Sequence, residues 1–124
     1  MLIQVCPALM DWTVFLVMFA VLYGAGAHGF SDAQCAWVGG IGQLAYMVSS
    51  LLAGLALSRR NARAILLTST VGATVMGIVC LRLIPFFVPQ MLCQVLLFIF
   101  MAMFFNSFQT FMRGETLPGG LART

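Results

Sequence analysis

Apolar residues run along this chain in four long, nearly unbroken stretches separated by short polar or proline-marked breaks. A bilayer's hydrocarbon core, about 30 Å thick, takes roughly 20 apolar residues in helical form. That length predicts spans at residues 12–30, 35–57, 64–84 and 90–112, none with an acidic or basic residue at its centre. Strands of a membrane barrel alternate apolar and polar positions over about 10 residues. These runs are continuously apolar, so helices are the predicted spanning element. The breaks carry recognisable stop signals: Gly29, Ser31 and Asp32 in the first, a polar stretch from Ser58 to Arg63 in the second, Pro85 and Pro89 in the third. The predicted fold class is therefore all-α: a polytopic membrane protein with a four-helix domain at 12–112, an N-terminal segment at 1–11 and a tail at 113–124.

Composition reinforces the class. Hydrophobic residues make up 62% of the 124, charged residues only 7%, against about 25% charged in a soluble domain. In lipid the helices gain nothing by hiding apolar surface from water, so close packing must hold them together. Small residues at helical spacing point to where that packing falls. Gly42, Tyr46, Ser50 and Gly54 lie on one ridge of the second span, with Ala45, Ser49 and Ala53 beside them. The third span offers Ser69, Ala73 and Gly77; the first offers Ala20 with Gly24 and Ala25 with Gly29.

Charge sets the expected orientation. Arginine supplies all six basic residues; Arg59, Arg60 and Arg63 lie between the second and third spans and Arg113 and Arg123 follow the fourth, leaving Arg82 alone on the opposite side. Basic residues near span ends favour the cytoplasm, which predicts both termini inside and a cytoplasmic (inner) membrane. Arg82 is near enough to a span end to snorkel. A cleavable signal peptide would need a basic N-terminal region, and no Arg or Lys precedes Arg59. Asp11, Asp32 and Glu115 fall outside the predicted spans or at their edges, so no intramembrane carboxylate is expected to couple ions.

Other chemistry finds little support. One histidine and four cysteines at no zinc-like spacing predict no metal and no cofactor. Spacing leaves open whether Cys80 and Cys93, which flank the third gap, form a disulfide. No nucleophile has a base nearby in sequence, so no enzyme is expected, and no basic tract points to nucleic acid.

The segment Gly54-Leu-Ala-Leu-Ser58-Arg59-Arg60-Asn61-Ala62-Arg63 resembles the loop between the second and third helices of major facilitator superfamily transporters, Gly-x-x-x-Asp-Arg-x-Gly-Arg-Arg. Gly54, Arg59 and Arg63 match; Ser58, Asn61 and Ala62 replace the aspartate, the second glycine and one basic residue. The stretch from Ser31 through Trp37-Val38-Gly39-Gly40 looks like the region preceding that loop, and residues 112–124 resemble the linker to a fifth helix.

The resemblance implies alternating-access transport of a small solute. It gives Gly54, Ser58, Arg59 and Arg63 the part of a conformational-control loop, in which Ser58 lacks the aspartate's charge but offers a hydroxyl to cap the third helix. It puts the first and fourth helices along the cavity, with Tyr23, Asn106, Gln109 and Arg113 as candidate lining. Family members pair two six-helix halves, so four helices amount to about a third of a transporter. The expected partners are the lipid bilayer, a small-molecule substrate, and the remaining helices or further copies of the chain. Two other readings compete: an assembly subunit of a larger membrane complex, and a four-helix exporter working as a dimer.

Overall fold

The computed structural model describes residues 2–116, with side chains over 5–113. Four helices account for nearly all of them: α1 Leu2–Ala27, α2 Asp32–Ala56, α3 Ala62–Arg82 and α4 Phe87–Thr116. The segments Val5–Ala27, Asp32–Ala56, Ala62–Arg82 and Phe87–Arg113 are each long and apolar enough to cross a membrane. Trp12, Leu16, Leu51, Leu55 and Val71 are more than 60% exposed on the bundle's outside. So much apolar surface belongs in lipid, and the chain is an integral membrane protein of all-α class.

The helix ends differ from the expected spans by two to four residues at most places and by ten at the start of α1. α1 begins at Leu2 rather than residue 12, with Pro7 inside it. Residues 5–10 are apolar enough to continue the helix, and neighbouring polar groups in membrane helices tolerate the backbone bond a proline omits. It also stops at Ala27, short of residue 30, because Gly29 turns the chain at φ +83. Phe30 N–H then donates to the Ala25 carbonyl across that turn (3.1 Å), the closing bond of a Schellman motif. α2 starts with a capping box: Gln34 N–H donates to the Ser31 hydroxyl, and Ser31 N–H to the Gln34 side chain.

α4 is the centre of the bundle. It packs extensively against both α2 and α3, which make no contact with each other, and α1 leans more lightly on all three. α4 runs parallel to α2, pairing Gly42 with Phe98 and Ser50 with Asn106, and antiparallel to α3, pairing Gly72 with Phe100. The fit is glycine against aromatic ring. A Cβ at Gly42 would lie 2.6 Å from the Phe98 ring, and one at Gly72 2.5 Å from the Phe100 ring. The predicted ridges are used in part. Ser69, Ala73 and Gly77 are all buried, as are Gly42 and Ala53, while Gly54 faces open space. Gln90 and Gln94, fully buried on α4, add polar contacts near the start of that helix.

Replacing Gly42 by Leu is expected to cost about 1–3 kcal/mol through overpacking. Leucine at Gly40, where a Cβ meets nothing, should stay within about 0.5 kcal/mol. Reversible unfolding of detergent-solubilised protein measures both.

Candidate functional site

α1, α2 and α4 enclose a groove of about 850 Å³. Its walls are mostly apolar: Val14, Phe15, Met18, Phe19 and Leu22 from α1, and Phe98, Met101 and Phe105 from α4. Three polar side chains enter it, Asp11 from α1 and Gln43 and Tyr46 from α2. Asp11 is the one charged residue in the lining. It is half-buried and forms no ion pair with any described residue.

The expected first span begins at residue 12, which leaves Asp11 at its edge. With α1 starting at Leu2, Asp11 lies six positions past Val5, the first residue of the apolar span. That is about 9 Å along the axis at 1.5 Å per residue. A carboxylate carried into an apolar span is costly, about 2.5–3.5 kcal/mol at the helix centre and less toward an end. Such residues characteristically face a cavity, as this one does.

The expected cavity-lining residues lie elsewhere. Tyr23 is 76% exposed on α1. Asn106 binds α4 to α2, its amide donating to the Ser50 hydroxyl (3.2 Å) and to the Ala102 carbonyl (2.8 Å). Thr110 donates to the Asn106 carbonyl (2.9 Å). Gln109 and Arg113 are exposed. None of these lines the groove.

The loop residues share the end of the bundle that carries the α1 N-terminus. Gly54, Ser58, Arg59, Arg60 and Arg63 are all exposed there. The expected helix cap at Ser58 does not form. Asn61 is the residue that precedes α3, and it caps nothing in that helix. Its side chain instead turns back: Oδ1 accepts from Ser58 N–H (2.8 Å), and Nδ2 donates to the Ala56 carbonyl (3.3 Å). Asn61 thus satisfies a carbonyl at the end of α2 and fixes the path of the arginine loop. A glycine, which the family signature has at this position, lacks the side chain to do either. The carboxylate end of the 112–124 stretch, including Arg123, lies outside the described residues.

No protein-family model, curated protein or solved structure matches the chain.

Asn61→Ala is expected to speed amide exchange at Ser58 about five- to tenfold, the effect of losing a hydrogen bond worth about 1 kcal/mol. Hydrogen–deuterium exchange in detergent micelles reads this directly.

Proposed function

We propose that this chain is part of a membrane transporter of the major facilitator type, and that the groove between α1, α2 and α4 is a wall of its solute path. The observation that carries this reading is the placement of Asp11, Gln43 and Tyr46 in an otherwise apolar groove. An intramembrane ionisable residue is expensive and marks ion or substrate pathways more often than packing. A few convergent polar groups in an apolar cavity also make a small-molecule site.

The loop supports the same reading more weakly, through Gly54, Arg59 and Arg63. Alternating access needs two bundles that rock about a shared site, so four helices work with further helices, from a longer chain or from other copies of this one. Gly54 suits such an approach, since it is exposed and leaves the space beside its backbone open. The proposed setting is a cytoplasmic membrane with both termini inside, on the strength of the arginine distribution. An assembly subunit is the alternative, and it would use the Gly54 face without needing the groove.

Two variants separate these readings. Asp11→Asn is expected to lower uptake at least tenfold without reducing membrane insertion. The measurement is uptake by liposomes carrying the complete assembly, against labelled sugars, amino acids, carboxylates and organic cations. Uptake unchanged by Asp11→Asn would remove Asp11 from the mechanism. Gly54→Leu is expected to leave the four-helix bundle as stable as before, because a Cβ there meets no described atom within 4 Å, and to weaken association with partner helices in a pull-down. Lost association together with uptake that ignores Asp11 would favour the assembly role.

A further inference from the structure

At the end of the bundle opposite the arginine loop, Cys80 and Cys93 meet between α3 and α4. Cys80 lies two residues before the end of α3, and Cys93 six residues after the start of α4. Their exposures are 0% and 6%, and both belong to the same buried cluster. Both are unoxidised.

The backbone around them is held in register by buried amides. In the orientation that satisfies its neighbours, the Gln90 amide nitrogen donates to the carbonyls of Cys80 (2.9 Å) and Leu83 (3.2 Å), while its oxygen accepts from Gln94 Nε2 (3.2 Å). Gln90 sits one turn before Cys93, so it binds the turn carrying one thiol to the turn carrying the other. The two turns that carry the pair are therefore joined by a buried amide. The remaining cysteines contrast with it: Cys6 is exposed and Cys35 half-buried, and neither is placed beside another thiol.

We propose that Cys80 and Cys93 are a reversible oxidation site, a dithiol that closes to a disulfide and ties the end of α3 to the start of α4. The electron acceptor is a membrane-permeant two-electron oxidant of the quinone or diazene class. Both S–H bonds break and one S–S bond forms. Two electrons and two protons pass to the acceptor, giving a hydroquinone or a hydrazine. Thiol reductants reverse the step by exchange. The bridge encloses residues 81–92 and leaves α1 and α2 uncrosslinked.

The test treats the full chain in lipid nanodiscs with diamide, a diazene, then denatures it and alkylates it with N-ethylmaleimide. Two of the four thiols should escape alkylation, with a loss of about 2 Da on formation of one disulfide. Peptide mapping should place the bridge between Cys80 and Cys93, and dithiothreitol should restore four alkylated thiols. The Cys6→Ser/Cys35→Ser double variant, which leaves the buried pair untouched, should lose all maleimide reactivity on oxidation. Cys80→Ser should form no intramolecular bridge. Four alkylated thiols in the oxidised wild-type chain would overturn the proposal, as would a bridge to Cys6 or Cys35, or reactivity retained by the double variant.

Discussion

The bundle depends on how one helix fits between two others in a solvent that gives apolar surfaces no reason to associate. α4 brings Phe98 onto Gly42 of α2 and Phe100 onto Gly72 of α3, each ring lying where a side chain's first carbon would otherwise be. Lipid tails are as apolar as these rings, so attraction comes from the number of atoms in contact at close range. Glycine maximises that number by letting a ring approach the backbone. The Asn106–Ser50 hydrogen bond then adds direction, and it fixes the same register between α2 and α4 that the Phe98–Gly42 contact sets. Burial follows from this arrangement and is heaviest on α4.

Much of the fold was legible in the sequence, because continuous hydrophobicity over 20 or so residues has few alternatives in a membrane. Helix number, order and approximate limits followed from that alone. The ends were less legible. A span of roughly 20 apolar residues placed at 12–30 leaves out the apolar residues before it, which continue α1 back to Leu2 through Pro7. The start of α2 rests on the capping box of Ser31 and Gln34, a serine followed three residues later by glutamine. Hydroxyls commonly cap helices, but at the start of α3 no side chain does so, and the Asn61 side chain reaches back to Ala56 and Ser58 instead.

Ridges were half legible for a geometric reason. Spacing by four identifies residues on one face, but not which face meets a neighbour, and successive positions differ by about 100° in direction. Thus Ala53 is buried while Gly54, the next residue, points away. The groove was not legible at all, since it is a gap left between three helices and exists only once their register is set. Asp11 enters it through the early start of α1; Gln43 and Tyr46 enter it because Gly42 turns toward Phe98. Asn106, a candidate lining residue, instead gives its amide to the Ser50 hydroxyl and the Ala102 carbonyl.

The absence of contact between α2 and α3, consecutive in sequence and joined by a five-residue turn at 57–61, has a consequence for biogenesis. Neighbouring helices that emerge one after the other commonly pair as soon as both are in the bilayer. Here the surfaces that α2 and α3 present to α4 have no partner until α4 leaves the ribosome and is released laterally into place. Assembly is therefore deferred to the end of synthesis of this region. Nascent chains halted before residue 87 would hold three inserted but largely unassociated helices, the form most open to capture by membrane chaperones and intramembrane proteases.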